Sequence, residues 1–217
     1  MESIQINYEY SSNLNTIKKW LINLPPLIAC DFETSSKYYR KEKELLKYKY
    51  KVCQTPALKR RLNQQKESDG LSHPSLSVIT HLSIAYSNKD AYVIVCCNNT
   101  LRQFVCNYLV SADNIQLWHN TSFDFKHIYY HTKSLPKSYI DTMLLAKSLI
   151  NDANHSKSLV GLKDLMKYMI GDWSLSKDVF TLEEMWNEDT IRYAATDACL
   201  TMKLYEDIQY TLNKWKI

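Results

Sequence analysis

Residues 27–34 contain an apolar run that ends in two carboxylates placed two residues apart, Asp31 and Glu33. Side chains alternate between the two faces of a β-strand, so both carboxylates are expected to project from one face and Phe32 from the other. Two like charges on one face repel each other unless a cation lies between them or one carboxyl keeps its proton. The stretch therefore predicts a metal site or an acid–base pair, against the alternative of an edge strand with a solvated polar end.

The bulk properties of the chain limit its class. A length of 217 residues fits one domain with a substantial core. The first residues lack the basic and apolar regions of a secretory signal, and no apolar run has the length of a membrane span, which predicts a cytoplasmic protein, or one in the host cytoplasm if viral, without membrane contact. The six cysteines form no C-x-x-C pair, which predicts reduced core thiols.

Charge is unevenly distributed along the chain. Residues 37–72 hold eleven basic and four acidic residues, whereas the rest of the chain holds sixteen basic and nineteen acidic residues. An acidic body with a basic segment indicates a polyanionic partner that binds at a site which itself requires negative charge. We interpret 37–72 as a basic insertion, helical in its first half and mobile in its second, which either grips nucleic acid or a partner or is simply a solvated excursion.

Hydrophobic periodicity predicts the order of the secondary structure. Alternating apolar residues predict strands at 4–8, 27–33, 77–86, 91–97 and 115–118, with a hairpin joining the third and fourth. Helical spacing and capping residues predict helices that begin at Asn13 and after Ser122, and others over 100–111, 143–150, 159–170 and 188–215. Strands that come first and then alternate with helices predict an α/β fold with a mixed β-sheet flanked by helices.

Further acidic residues lie on the predicted helices. Asp124 follows the strand at 115–118 and falls in the first turn of a helix. Tyr193 and Asp197 are four residues apart, which puts them on one face of the last helix. Oxygen ligands of this kind suit Mg²⁺ or Mn²⁺, and no histidine cluster indicates zinc. Asp141 precedes another helix and is interpreted as its N-cap, with a supporting role near the site as the alternative.

Three motifs, in this order, resemble the DEDD superfamily of 3′–5′ exonucleases in its tyrosine-bearing branch. They are Asp31-Phe32-Glu33, NTSFD at 120–124 and YAATD at 193–197. Flanking stretches at 140–143, 161–165 and 193–198 are similar to the proofreading domain of bacterial and phage family A DNA polymerases. The likeness extends over about 27–210, and 37–72 is an insertion that the bacterial pattern lacks. It implies one ribonuclease H-like exonuclease domain over 1–217.

The resemblance also implies a chemistry for the site. Phosphodiester bonds at DNA 3′ ends would be hydrolysed to release 5′-mononucleotides with the help of two Mg²⁺ or Mn²⁺ ions. Asp31 would bridge both ions, Glu33 and Asp197 would complete the site of the nucleophile-bearing ion, and Asp124 would hold the second ion. Tyr193 would orient the attacking water or help to deprotonate it.

The chain departs from the family pattern after the first motif. Polymerase-type domains usually have an apolar side chain there that wedges against the terminal base, whereas this chain continues with Ser35-Ser36-Lys37. We expect the insertion to substitute for that side chain by base stacking and phosphate binding. The expected substrate-binding residues are Thr34, Asn120, Phe123, His119, Tyr38 and Lys37.

The implied substrate is the 3′ end of single-stranded DNA, with RNA possible. The resemblance implies proofreading in DNA replication, with a phage as one source. This role would require a separately encoded DNA polymerase as partner, since 217 residues leave no room for a polymerase domain. One alternative is a ribonuclease D-like 3′–5′ exoribonuclease. Another is a non-catalytic nucleic-acid-binding or docking subunit of a replication complex.

Overall fold

Six β-strands form one mixed sheet in the computed structural model, which describes residues 5–36, 74–75, 77–149, 161–170 and 186–215. The sheet order is β1-β4-β3-β2-β5-β6. Strand β3 is antiparallel to both of its neighbours, and the other neighbouring pairs are parallel. The strands are β1 (Asn7–Ser11), β2 (Leu27–Ser36), β3 (Ser77–Ala85), β4 (Asp90–Val95), β5 (Ile115–Trp118) and β6 (Tyr139–Asp141).

Helices cover both faces of the sheet. Asn13 caps the first helix by accepting hydrogen bonds from the N–H groups of Asn15 and Thr16, as predicted, and Asn98 caps the second in the same way. The helices are α1 (Leu14–Ile22), α2 (Asn99–Ser111), α3 (Thr121–Thr132), α4 (Thr142–Leu149), α5 (Leu162–Ile170) and α6 (Glu188–Trp215). The prediction of an α/β fold with a mixed, helix-flanked sheet is confirmed.

Strand β2 divides its side chains between two cores. Ile28, Cys30 and Phe32 pack with α1, α2 and α3 on one face of the sheet. Ala29 packs on the other face against α6, whose contact surface is also rich in alanine. Small side chains on both elements allow the helix to lie close to the sheet. A third core joins α4, α5 and the second half of α6, so α6 connects the sheet to the two short helices.

Some predicted boundaries are wrong. The first strand is Asn7–Ser11 rather than 4–8, because parallel pairing with β4 determines its length. The third helix begins at Thr121, one residue before its predicted cap Ser122.

Among the described cysteines all five are free, and only Cys97 is exposed. The predicted insertion at 37–72, which includes Cys53, lies outside the described residues.

Candidate active site

Strand β2 directs Asp31 and Glu33 to the face of the sheet that α6 covers. Ala29 lies on that face, and the alternation of the strand carries the next two odd-numbered side chains to the same side. On β3, the residue paired with Asp31 is Ser83 and the residue paired with Glu33 is His81. Both carboxylates are half-buried, so they can face a ligand while their backbone is held in the sheet.

Helix α6 adds a third carboxylate to this pair. Carboxylate oxygens of Asp31, Glu33 and Asp197 all lie within 4.8 Å of one another. Ala194 and Ala198 pack in the core between α6 and the sheet, which fixes the helix face that carries Asp197. Three acidic side chains from two separate elements therefore converge on one point.

The electrostatics of this cluster are unfavourable without a cation. Burial raises the pKa of Asp31 well above its ordinary value, and the Glu33, Asp124 and Asp197 carboxylates raise it further, while Lys163 opposes them. Burial and the three neighbouring carboxylates all penalise the ionised form of Asp31. Hard carboxylate oxygens at this spacing are the donors that Mg²⁺ and Mn²⁺ prefer, so the residues fit a divalent ion.

Without divalent ions, we expect the protein to lose stability as the pH rises. A carboxyl whose pKa is higher in the folded state contributes stability that is complete below its unfolded pKa, near 3.8, and is lost as the pH rises through the folded pKa. The melting temperature in EDTA should therefore be lower at about pH 8 than at about pH 5, and Mn²⁺ should restore more of it at the higher pH. Asp31→Asn, which cannot ionise, is the control and should reduce both effects. An Mn²⁺ response that is the same at both pH values would contradict this expectation.

Asp124 lies beside the three-carboxylate cluster rather than within it. It is in the first turn of α3 and is 2% exposed. Its Oδ1 accepts a hydrogen bond of 3.2 Å from the backbone N–H of Phe32, the residue between Asp31 and Glu33. Burial raises the pKa of Asp124, and the hydrogen bond from Phe32 opposes that shift. The start of α3 is thereby fastened to the strand that carries the carboxylate pair.

Asp141 holds the start of α3 in place. Its carboxylate accepts hydrogen bonds from the N–H groups of Asn120 (3.2 Å) and Thr121 (2.9 Å) and from the Thr121 hydroxyl (2.8 Å). It also accepts from the N–H groups of Met143 (2.9 Å) and Leu144 (3.2 Å) at the start of α4. Burial raises the pKa of Asp141, but these hydrogen bonds outweigh it and the net shift is downward. One carboxylate thus caps two helices.

This arrangement explains why the predicted cap of α3 is wrong. Asn120 occupies the N-cap position in the left-handed conformation, with φ of 68°, and its side chain makes no capping hydrogen bond. Ser122 instead donates from Oγ to the Asn120 side-chain oxygen at 2.7 Å. Asn tolerates the left-handed region better than most residues, and the cap itself comes from β6. The predicted role of Asp141 as the cap of α4 agrees with the structure, and its proximity to the site supports the alternative as well.

Tyr193 lies one turn before Asp197 on α6 and is contacted by Lys163 from α5. Lys163 Nζ donates a hydrogen bond to the tyrosine hydroxyl and lies 3.8 Å from the centroid of its ring. Burial raises the pKa of Tyr193, and the neighbouring carboxylates and a hydrogen bond to Asp197 raise it further. The hydroxyl is therefore protonated at neutral pH. Lys163 was not among the site residues predicted from the sequence, although it lies in the 161–165 stretch that resembles the polymerase domains.

A comparison with protein families decides the identity of the chain. Residues 66–213 match the family described as 3'-5' exonuclease. The chain belongs to this family. The match includes Asp124, Lys163, Tyr193 and Asp197 of the exonuclease. Asp31 precedes the matched range and reaches the same site through the pairing of β2 with β3. No curated protein matches the sequence.

Solved structures of low sequence identity have the same fold as this exonuclease. The Nibbler EXO domain of Aedes aegypti has a TM-score of 0.66 and 14% identity, over 100% of this chain and 95% of that one. NrnC of Brucella melitensis has a TM-score of 0.60 and 14% identity, over 98% and 83%. Escherichia coli RNase D has a TM-score of 0.59 and 14% identity, over 94% and 45%. The ribonuclease H-like exonuclease fold is thereby confirmed, and the exonuclease family uses divalent metals.

The residues of the exonuclease that were predicted to bind substrate differ from one another in burial and in the side chains near them. His119 and Asn120 are half-buried at the junction of β5 and α3, and His119 Nδ1 lies 2.9 Å from the hydroxyl of Thr142. Phe123 is partly exposed, with its ring centroid 5.7 Å from that of His127. Thr34 is 5% exposed on β2. The remaining two predicted contacts, Lys37 and Tyr38, lie outside the described residues.

None of the helices in the part of the chain that the structure describes is long and apolar enough to cross a bilayer.

Proposed function

We propose that this chain is a 3′–5′ exonuclease of the tyrosine-bearing DEDD type that removes 5′-mononucleotides from DNA 3′ ends. The observation that carries the proposal is the convergence of Asp31, Glu33 and Asp197 within 4.8 Å, with Tyr193 one turn away on the helix of Asp197. Three carboxylates gathered on a half-buried face have little structural purpose, since their mutual repulsion is costly. They are suited to holding divalent cations against a phosphodiester.

The donor set supports a site for two Mg²⁺ or Mn²⁺ ions. Asp31, Glu33 and Asp197 would hold one ion, and Asp31 with Asp124 would hold the other. When bound, the two ions would neutralise charge at the scissile phosphate and lower the pKa of the attacking water. Asp124 would act from its position in the first turn of α3, beside the Phe32 backbone.

The protein's own residues would then orient the reactants. The Tyr193 hydroxyl would hydrogen-bond the attacking water and orient it. Lys163, which hydrogen-bonds that hydroxyl, would hold it in place and contribute positive charge near the phosphate. His119, Asn120 and Phe123, at the end of β5 and the start of α3, would contact the terminal nucleotide.

Lys163→Met is expected to lower kcat by about tenfold to about a hundredfold, because the tyrosine hydroxyl loses its hydrogen-bond donor and the site loses a cation. Tyr193→Phe should act through the same contact, so the double variant should be little worse than the poorer single variant. The control is Lys203→Met, which breaks an ion pair with Asp207 elsewhere on α6 and should leave kcat unchanged. Steady-state kinetics at saturating Mg²⁺ give kcat for these four variants and for the wild type. Additive losses would contradict the coupling of Lys163 to Tyr193.

DNA is the first candidate substrate because the motifs resemble proofreading domains of DNA polymerases. RNA is the second, because structures of similar fold include E. coli RNase D, described as an exoribonuclease, and Trypanosoma brucei RNase D in complex with RNA. The test compares 5′-labelled DNA and RNA oligonucleotides of the same sequence in Mg²⁺ or Mn²⁺. Faster laddering of DNA is expected. If RNA alone is shortened, the proposed DNA substrate and proofreading role are wrong. If neither oligonucleotide is cleaved, the proposed enzymatic activity is wrong.

We also propose a separately encoded DNA polymerase as partner, on the strength of the same resemblance. Copurification from the native host followed by mass spectrometry tests this. A purified complex that contains RNA-processing proteins and no polymerase would contradict it.

A further inference from the structure

The pairing of β2 with β3 shifts at the residue that carries the second carboxylate. Glu33 is paired with His81, but the next residue, Thr34, is paired with Ile79. Thr80 therefore has no paired residue on β2 and is the extra residue of a β-bulge. Bulges redirect a strand and its side chains, and they are frequent beside active sites. This one lies directly opposite Glu33.

Two buried side chains hold the bulge. The Thr80 hydroxyl donates a hydrogen bond of 3.0 Å to the backbone carbonyl oxygen of Glu33, and it lies 3.1 Å from Nδ1 of His81. A hydroxyl has one hydrogen, and here it is directed at the Glu33 carbonyl, so the hydroxyl oxygen accepts from the N–H at His81 Nδ1. Thr80 is 1% exposed and His81 is fully buried. The chain of hydrogen bonds runs from the imidazole through the hydroxyl to the Glu33 peptide.

The backbone of Phe32 and Glu33 is thus held from both sides. On one side, Asp124 accepts the N–H of Phe32. On the other, Thr80 donates to the carbonyl of Glu33. Successive residues of a strand direct their hydrogen-bonding groups to opposite sides, which is why one short segment can be fixed by both α3 and β3. The orientation of the Glu33 side chain follows from that of its peptide.

We propose that Thr80, with His81 as its hydrogen-bond donor, is a positioning residue that sets the direction of the Glu33 carboxylate for metal binding. Thr80 acts through the Glu33 peptide and not on the substrate. The inference rests on the proposed function in requiring that the carboxylate cluster bind divalent ions. It adds a polar network inside β3 to the residues on which the site depends.

The test is calorimetric titration of Mn²⁺ into the intact chain without nucleic acid, on three variants. Thr80→Val keeps the side-chain shape and removes the hydroxyl, and we expect it to weaken Mn²⁺ binding by about tenfold. Thr80→Ser keeps the hydroxyl and should bind within about twofold of the wild type. The control is Thr211→Val, which removes a hydroxyl-to-carbonyl hydrogen bond near the end of α6 and should change nothing in Mn²⁺ binding.

If Thr80 only stabilised the fold, the variants would give a different result. Thr80→Val would then lower the melting temperature and leave Mn²⁺ affinity at the wild-type value, which would overturn the proposal, as would a serine variant as weak as the valine one. If Thr80→Val fails to fold, His81→Leu and His81→Asn decide instead. Leucine should weaken Mn²⁺ binding, and asparagine, whose amide can replace the Nδ1 donor, should restore it. Equal affinities for these two variants would overturn the proposal.

The metal titration separates this proposal from the proposed function. A wild-type protein that binds Mn²⁺ but degrades neither DNA nor RNA would contradict the exonuclease activity, and the Thr80 comparison would still be measurable. A wild-type protein that binds no Mn²⁺ would overturn both.

Discussion

Asp31→Asn is expected to abolish nuclease activity while making the metal-free protein more stable. Asp31 is the carboxylate that both proposed ions would share, so its loss should reduce kcat/KM by about a thousandfold or more, about 4 kcal/mol of transition-state stabilisation. The same change removes one of the charges that burial and the neighbouring carboxylates destabilise in the folded state. Kinetics in Mg²⁺ and thermal unfolding in EDTA measure the two effects on one protein preparation.

A surface aspartate provides the matched control. Asp189→Asn removes a charge from an exposed pair with Arg192 at the start of α6. Exposed pairs of this kind contribute little to stability, so both activity and melting temperature should remain at wild-type values. An Asp31→Asn protein that keeps substantial activity would contradict the proposed metal site. One that melts lower than the wild type in EDTA would contradict the repulsion inferred for the cluster.

Asp141→Ala is expected to cause the largest loss of stability, about 3 kcal/mol in the free energy of unfolding. The carboxylate accepts hydrogen bonds from the starts of α3 and α4, and each helix would lose its cap. Asp141→Asn keeps one carbonyl oxygen and should lose about half as much. Chemical denaturation at neutral pH measures both variants. Because α3 carries Asp124, Asp141→Ala should also weaken the response of the melting temperature to Mn²⁺.

The pH dependence of this effect has a definite sign. The folded pKa of Asp141 is lowered, so its contribution to stability is present above its unfolded pKa, near 3.8, and is lost as the pH falls through the folded value. The difference in the free energy of unfolding between the wild type and Asp141→Asn should therefore become smaller in strong acid. The control is Asp113→Asn, because the Asp113 side chain is 93% exposed and pairs with Lys137 at the surface. A loss from Asp113→Asn equal to that from Asp141→Asn would contradict the capping account.

The sequence permits prediction of those features that depend on local spacing. The alternation of β2 predicted that Asp31 and Glu33 share a face, and the four-residue spacing on α6 predicted that Tyr193 and Asp197 do. The structure brings the two carboxylates of β2 together with Asp197. The fold class followed from the order of strands and helices, because local hydrophobic periodicity identified almost every element.

Features that depend on contacts between distant segments could not be predicted. The cap of α3 comes from Asp141, twenty residues further along the chain than Thr121, so local signals pointed to Ser122 instead. The contact between Lys163 and Tyr193 requires α5 to pack on α6. The bulge at Thr80 requires the register of β2 against β3. Each depends on tertiary packing, which sequence spacing does not encode directly.

The most direct test of the exonuclease site is the digestion of a 5′-labelled single-stranded oligonucleotide that carries a nuclease-resistant linkage at either its 3′ or its 5′ end. With Mg²⁺ or Mn²⁺, the unmodified and the 5′-protected strands should shorten one nucleotide at a time, the 3′-protected strand should persist, and EDTA should stop the reaction. Protection by the 5′ linkage alone, or internal cleavage that continues in EDTA, would contradict a metal-dependent 3′–5′ exonuclease at the Asp31, Glu33 and Asp197 cluster.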